Sequence, residues 1–260
     1  MLIISEQRFQ PIFSGIFLIC ILSVFFCSSS NDKNDDKGSC KTVRAIEVPA
    51  VYNPTIATVN FTNSTTIDNP YMPFKPGTVY SYEGSEDENV IQNDVGVTNT
   101  TKILMGITCV EVKDTVNVNS ELEEQTLDWY AQDNDGNVWY FGEDSKEYAD
   151  GSVISTSGSW EAGTDGALPG IVMPASPSVG NAYRQEYYAG EAEDLFEIMS
   201  SGETVDVTYG TFTDTVVTRE MTPLEPCVAE KKYYAKDVGF IKSVMIAGGN
   251  EEISLSLKNP

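Results

Sequence analysis

The chain has 260 residues, with 39 acidic and 16 basic side chains and no histidine, which gives a formal net charge of −23 at pH 7. The lack of imidazole excludes Ser-His-Asp and Cys-His catalysis, histidine zinc sites and histidine pH switches. The acidic excess argues against nucleic-acid binding, because a polyanion needs a basic surface that releases its counterions. The chemistry that remains is that of carboxylates, hydroxyls and aromatic rings, with 13 Tyr, 11 Phe and 3 Trp.

The N-terminus predicts export. Residues 12–26 (IFSGIFLICILSVFF) form an uncharged, mostly apolar run behind Arg8. At 1.5 Å per residue, a helix of this length spans about 22 Å, which is shorter than the hydrocarbon core of a bilayer and typical of a signal peptide. Cys27 follows, and after it comes a Ser/Asp-rich tract that is too polar to form a core.

This order of an apolar run, a cysteine and an acidic tether resembles that of bacterial lipoproteins, and the Ser/Asp-rich tract resembles those exported to the outer membrane by Bacteroidota. The resemblance implies that residues 1–27 are a lipoprotein signal peptide and that Cys27 carries the acyl chains, such as palmitate. It also implies an extracytoplasmic protein anchored to a bacterial membrane, in the first place the outer membrane. Phe26 stands before Cys27, where a lipobox has a small residue, so an uncleaved anchor and an ordinary secreted protein stay open.

The rest of the chain predicts one β domain. Residues 28–68 are expected to be an acidic and polar tether and linker, and Pro70, Pro73 and Pro76 then forbid a helix where the domain begins, at about residue 69. From there to residue 260, short alternating runs recur between turn residues, which indicates an all-β fold, a single antiparallel barrel or sandwich-like domain. One short helix is expected within Gly190–Ser201.

The sequence Asp133-Asn134-Asp135-Gly136 predicts a tight hairpin turn between two strands, Thr126–Gln132 and Asn137–Glu143. Both faces of this hairpin carry aromatic residues, so we expect one face to pack in the core and the other to line a cavity or contact a further layer. The same turn offers Asp133 and Asp135 as weak calcium candidates. The spacing of an EF-hand fails here, so no metal and no other cofactor is predicted.

The cysteines that follow the leader are odd in number, which excludes a complete disulfide framework. Cys40 lies in the tether. Cys109 and Cys227 lie in strand-like runs, where we expect them to be small buried side chains, and a disulfide between them stays open.

The candidate site is an aromatic and acidic concavity. Arg184 and Glu186 share one side of a predicted strand, where they could form a structural ion pair or help to line a pocket. The Gly- and Pro-rich segment 162–182 is expected to be a plug or a lid. The predicted ligand contacts are Trp139, Trp160, Glu161, Arg184, Glu186 and Tyr188. No catalytic residue is assigned, and Glu186 and Glu191 are the first suspects if a pair of carboxylates performs glycoside chemistry.

Three blocks, DWYAQD…GNVWYFGED, YRQEYYAGEAED and KYYAKxVGxIK, resemble a family of bacterial secreted or lipid-anchored β-rich proteins with no assigned activity. The resemblance covers most of the chain after the leader. It implies an extracytoplasmic single-domain β protein. The function expected first is non-catalytic binding of a small molecule, a glycan or a protein partner. The alternatives are a carboxylate-dependent hydrolase or lyase acting on a carbohydrate, and a structural surface or assembly component.

Overall fold

The computed structural model describes residues 42–260, and its regular structure is β throughout except for a three-residue 3₁₀ helix, Thr58–Asn60. The predicted all-β class is therefore confirmed. In this part of the chain, no helix has the length and apolar character needed to cross a membrane.

The strands are β1 (Val79–Glu86), β2 (Asn89–Leu104), β3 (Ile107–Val118), β4 (Glu121–Gln132), β5 (Val138–Ala149), β6 (Ser152–Ser155), β7 (Trp160–Glu161), β8 (Leu168–Met173), β9 (Ala182–Arg184), β10 (Glu186–Tyr187), β11 (Leu195–Ser201), β12 (Val205–Val207), β13 (Gly210–Phe212), β14 (Thr215–Met221), β15 (Ala229–Ala235), β16 (Gly239–Ala247) and β17 (Glu252–Asn259).

One antiparallel sheet contains all of these strands except the β12–β13 pair. Its order is β10-β8-β5-β4-β3-β2-β1-β17-β16-β15-β14-β11-β9, with β6 and β7 also paired to β5. The two ends of this order, β9 and β10, are neighbours in the chain, separated by Gln185 alone. A single extended segment therefore pairs with β11 through its first half and with β8 through its second half, so that the sheet curls into a nearly closed barrel.

The barrel forms because its long strands alternate buried apolar side chains with more exposed ones, which is the period of a strand with one face in the core. The predicted hairpin is present as β4 and β5, and the rings of Tyr130 and Tyr140 stack in the core with their centroids 4.8 Å apart. Asp133 holds the turn. Its carboxylate accepts hydrogen bonds from the backbone N–H groups of Asp135 and Asn137 and from the indole N–H of Trp139.

The helix predicted within Gly190–Ser201 is wrong. Leu195–Ser201 forms β11, which hydrogen-bonds to β9 on one side and to β14 on the other. The spacing of Leu195 and Ile198 fitted a helix, but the backbone groups of this short segment find partners on two neighbouring strands, and this tertiary pairing overrides the local pattern.

The segment 162–182 also contains a strand that the sequence pattern concealed. Leu168–Met173 forms β8 between β5 and β10, although it includes Pro169 and Gly170. This strand is neither a plug nor a lid, because its backbone is part of the barrel wall. The turn before it, residues 162–167, and the stretch after it, residues 174–181, lie outside the strands.

Packed structure begins before residue 69. Ile46 is buried against Leu195 and Met221, and Phe61 packs edge-on against Trp139 and Phe141. The composition of residues 42–68 is polar and Thr/Asn-rich, but single apolar side chains placed along it cover the hairpin and the closing strands. Residues 1–41, which include the predicted signal peptide and Cys27, lie outside the described part of the chain.

The two described cysteines differ in state. Cys109 is a free, fully buried thiol whose burial raises its pKa to about 12. Cys227 is disulfide-bonded, so the expectation that it is a free buried side chain is wrong, and the pair Cys109–Cys227 does not form.

Closure of the barrel predicts a steric requirement at Gly170. A Cβ atom at this position would lie 2.3 Å from the carbonyl oxygen of Arg184, so we expect Gly170→Ala to lower the free energy of unfolding by about 1–3 kcal/mol through overpacking. Gly96→Ala is the matched control, because its Cβ would meet nothing closer than 3.9 Å. Urea unfolding of both variants measures the difference, and equal midpoints would contradict this account of the closure.

Candidate functional site

A cleft of about 400 Å³ lies beside β5. Its buried walls are the side chains of Trp129, Glu143 and Trp160, and its exposed rim includes Thr164 and Asp165. The cleft therefore opens to solvent while presenting two large aromatic side chains. The remaining lining residues are Lys102, Asp144, Ser159, Glu161, Ala167 and Tyr188.

Gly142 brings the two-residue strand β7 to the cleft. Gly142 pairs with Glu161, and Glu143 pairs with Trp160. The backbone of Gly142 has a φ of +137°, and a Cβ there would lie 2.3 Å from the carbonyl oxygen of Trp160. Only glycine permits this contact, so the position of Trp160 and Glu161 depends on it.

Lys102 crosses the cleft. Its Nζ lies 3.5 Å from the centroid of the Trp129 ring and 2.7 Å from Oε1 of Glu161. The ammonium thus makes a cation–π contact and an ion pair together. The side chains of Lys102 and Glu161 are 33% and 42% exposed, so this pair lies at the solvent side of the cleft.

Glu143 is the buried acid of the cleft wall. It is 4% exposed, and its Oε1 accepts no hydrogen bond. Loss of solvent, followed by the nearby Glu186 and Asp128, raises the pKa of Glu143 well above its usual range. Because both causes disfavour the carboxylate, they favour the protonated form of Glu143.

A second acid supports Trp160 from behind the cleft. Glu186 is fully buried, and burial together with Asp194 raises its pKa well above the usual value. The indole N–H of Trp160 and the backbone of Asp194 act against this rise, although neither oxygen of Glu186 has a hydrogen bond of good geometry. The ring of Trp160 therefore separates the cleft from a buried acidic interior.

The acidic interior continues across the barrel. Tyr140 donates a 2.6 Å hydrogen bond to Asp128, and Asn93 donates one to Asp114. The buried cation Lys232 lies on the side of this interior away from the cleft, where its Nζ is 2.9 Å from Glu220 and 3.0 Å from Glu230. The acids nearer to the cleft have no such cation partner among the described residues, so their burial favours the protonated forms.

Comparison with known proteins adds little. No family model matches the sequence, and no curated protein matches it either. A proposed exported protein with a YmcC-like fold from Bacteroides fragilis NCTC 9343 has a TM-score of 0.44 and 13% identity, over 73% of this chain and 99% of its own. A proposed lipoprotein from Parabacteroides distasonis ATCC 8503 has a TM-score of 0.40 and 12% identity, over 74% of this chain and 99% of its own. At these TM-scores neither likeness carries an argument.

The structure brings three of the predicted ligand contacts together, since Trp160, Glu161 and Tyr188 all line the cleft. Glu186 lies behind Trp160 rather than in the cleft itself. The other two, Trp139 and Arg184, lie elsewhere. Trp139 packs against Phe61, and the guanidinium carbon of Arg184 lies 4.8 Å from the ring centroid of Tyr187 and 5.7 Å from that of Tyr52.

The structure also shows where the other residues suggested by the sequence lie. Within residues 42–260 no ion pair joins Arg184 to Glu186, so the predicted structural pair is absent. Glu191 is exposed and Glu186 is buried, and only Glu186 adjoins the cleft. The carboxylate of Asp133 is used by donors of its own turn. No cluster of three or more metal-ligating side chains suited to an ion occurs in the described chain.

Sequence reasoning missed Lys102, Trp129 and Glu143. Trp129 and Glu143 stand on the two strands of the predicted hairpin, and the expectation that one face lines a cavity was the signal that could have found them. Lys102 comes from β2, and nothing local in the sequence indicates that it meets Trp129.

The buried acids predict an unusual pH dependence of stability. Burial raises the pKa of Asp114 to about 7, and those of Asp128, Glu143 and Glu186 shift in the same direction. Unfolded Asp and Glu titrate near pH 4. Between about pH 4 and pH 7 the folded chain therefore holds protons that the unfolded chain has lost, so these groups make stability fall as the pH rises.

Replacing Glu143 by Gln removes one of these protons. We expect Glu143→Gln to gain stability relative to the wild type as the pH is raised from 5 to 8, by up to ~1.4 kcal/mol per pH unit while the native Glu143 stays protonated. The measurement is the urea midpoint across this range. Glu83→Gln, at an exposed position, serves as the control and should keep a constant difference from the wild type. A constant difference for Glu143→Gln as well would refute the assigned protonation.

Proposed function

We propose that this protein is an extracytoplasmic, lipid-anchored β protein that binds a small ligand, or a side chain of a partner, in the cleft between Trp129 and Trp160, without converting it. The observation that carries this proposal is the cleft itself. Trp129 and Trp160 are each 4% exposed overall, yet both contribute to the wall of an open cavity.

The size and lining of the cleft support binding. A volume of about 400 Å³ lies within the range of small-molecule sites. Such sites combine large aromatic surfaces with a few polar groups that set orientation. Trp129, Trp160 and Tyr188 supply the surface here, and Lys102, Glu143 and Glu161 supply the polar groups.

The disulfide at Cys227 supports an extracytoplasmic location, because disulfides persist in oxidising compartments and are rare in the cytoplasm. The apolar run before Cys27 points the same way. The charge of −23 would keep the domain soluble and away from an anionic membrane surface at the end of its tether.

A carboxylate-dependent hydrolase or lyase is the second candidate. It is favoured by Glu143, an acid in the wall of an open cleft whose pKa is raised by burial, because a raised pKa suits a carboxyl group to act as a general acid. Glu161 is the nearest carboxyl on the paired strand. In this reading Glu143 replaces Glu186 and Glu191 as the first residue to test.

Lipid anchoring predicts that Cys27 is required for membrane association. In the native bacterial envelope, we expect Cys27→Ser to move the protein from the detergent-soluble membrane fraction to the soluble fraction and to abolish labelling by radioactive palmitate. Cys20→Ser is the control and should change neither. Labelling that persists in Cys27→Ser would exclude this anchor.

The cleft predicts that ligands act through Trp160 and not through Trp139. We would measure thermal unfolding and tryptophan fluorescence against a panel of oligosaccharides, aliphatic amines and amino acids. A ligand at a hundredfold excess over its Kd stabilises the folded state by about 2.7 kcal/mol. We expect Trp160→Phe to weaken binding of the active compound about tenfold and Trp139→Phe to leave it unchanged.

The same panel separates the two functions. Release of product from a bound glycan, lost in Glu143→Gln, would replace the binding proposal by the hydrolase. A flat response from the whole panel would leave no support for a small-ligand cleft.

A further inference from the structure

We propose that the ligand of the cleft carries a protonated amine, which takes the place that the Lys102 ammonium occupies on Trp129 and Glu161. This inference rests on the proposed binding function and names the chemical class of the ligand. In the free protein the ammonium of Lys102 fills this site, and the ligand displaces it.

The position of Lys102 defines an ammonium site. The face of Trp129 lies 3.5 Å below Nζ, and Oε1 of Glu161 lies 2.7 Å from it. An aromatic face and a carboxylate around one nitrogen are the arrangement by which proteins recognise ammonium ligands. A hydroxyl or a carboxylate in this place would lose the cation–π attraction, and a carboxylate would also be repelled by Glu161.

The charge of the cleft has the sign that a cation needs. Besides the buried Glu143, its lining contains three acidic side chains, Asp144, Glu161 and Asp165, and one basic side chain, Lys102. Asp144 is paired with Lys146, which stands outside the lining, at 2.6 Å. Asp165 stands exposed at the rim, where it would attract a cation in solution.

Glu143 provides a further acceptor. An ammonium group has three N–H donors and no acceptor. Lys102 donates to the carboxylate of Glu161. Glu143 lines the same cleft and is more than nine-tenths buried, and its Oε1 accepts no hydrogen bond. A second ammonium group, or one placed deeper than that of Lys102, would satisfy this oxygen.

Lys102 can leave at low cost. Its side chain is one-third exposed and long, and ion pairs between exposed side chains contribute little to stability. Once displaced, its ammonium would be hydrated at the rim. The Trp129 ring and the Glu161 carboxylate therefore hold the Lys102 ammonium in the free protein and the ammonium of the ligand in the complex.

Three probes of equal length test the charge of the ligand. Pentane-1,5-diamine carries two ammonium groups, pentane-1,5-diol carries two hydroxyls and pentanedioate carries two carboxylates. We would titrate each into the wild-type protein and the Lys102→Met variant, and follow tryptophan fluorescence and the heat of binding. Binding of the diamine alone, weakened by salt, is the expected result.

The direction of the Lys102 effect is decisive. Lys102→Met removes the competing ammonium and keeps the length of the side chain, so we expect it to tighten diamine binding about fivefold, which corresponds to ~1 kcal/mol. Lys146→Met is the matched control, because it removes a similarly exposed ammonium from a paired lysine beside the cleft. It should change the affinity less than twofold, and Glu161→Gln should weaken it about tenfold.

Each other outcome overturns the inference. Weaker or unchanged diamine binding in Lys102→Met would show that Lys102 does not compete with the ligand, and preferred binding of pentanedioate would make Lys102 an anion contact. If no amine binds but an oligosaccharide binds through Trp160, the ammonium inference fails while the proposed function stands. If nothing binds, both fail. Lys102→Gln replaces Lys102→Met if the latter does not unfold cooperatively like the wild type.

Discussion

Two backbone contacts at glycines determine how the barrel closes and where its cleft lies. At Gly170 the backbone of Arg184 and Gln185 approaches to a distance that no side chain would allow, and this approach joins the two ends of the sheet. At Gly142 the carbonyl of Trp160 does the same, and it places β7 against β5. Both contacts are steric constraints of the backbone, so the positions of the side chains around them follow from the absence of two Cβ atoms.

The interior that this closure creates is rich in acids and poor in cations. On the side away from the cleft, Glu220 and Glu230 both form ion pairs with the ammonium of Lys232. On the side of the cleft, burial and the neighbouring acids raise the pKa values of Asp128, Glu143 and Glu186, which favours their neutral forms. A core of this kind costs stability compared with an apolar one, and the acids without a cation partner lie next to the cleft.

Much of the fold could be predicted from the sequence, because its strands and its main turn are local features. The turn at Asp133–Gly136 and the hairpin of β4 and β5 depend on a few neighbouring residues, and both predictions are confirmed. The helix at Gly190–Ser201 and the irregular segment 162–182 were wrong, because their conformations are decided by partners far away in the chain. β11 lies between β9 and β14, and β8 lies between β5 and β10.

The candidate site likewise contains residues that could be predicted from the sequence and residues that could not. Trp160 and Glu161 are adjacent in the sequence, and Tyr188 follows a strand that pattern alone could suggest, so these could be named. Lys102 could not, because its contact with Trp129 depends on the register of β2, β3 and β4. The raised pKa of Glu143 could not be predicted from the sequence either, because it depends on Asp128 and Glu186, which lie on other strands.

The cleft lies beside β5 for a reason that the topology makes clear. On one side β5 pairs with β4 along most of its length, but on the other side its partner is broken into β6, β7 and β8. Between β7 and β8 the chain runs through the turn 162–167, where the backbone N–H of Ala162 donates to the carbonyl of Phe141 on β5. This turn brings Thr164, Asp165 and Ala167 to the cleft, beside Trp160 and the Lys102–Glu161 pair. The cleft therefore lies where the partner of β5 changes from β7 to β8, which is the least regular part of the barrel wall.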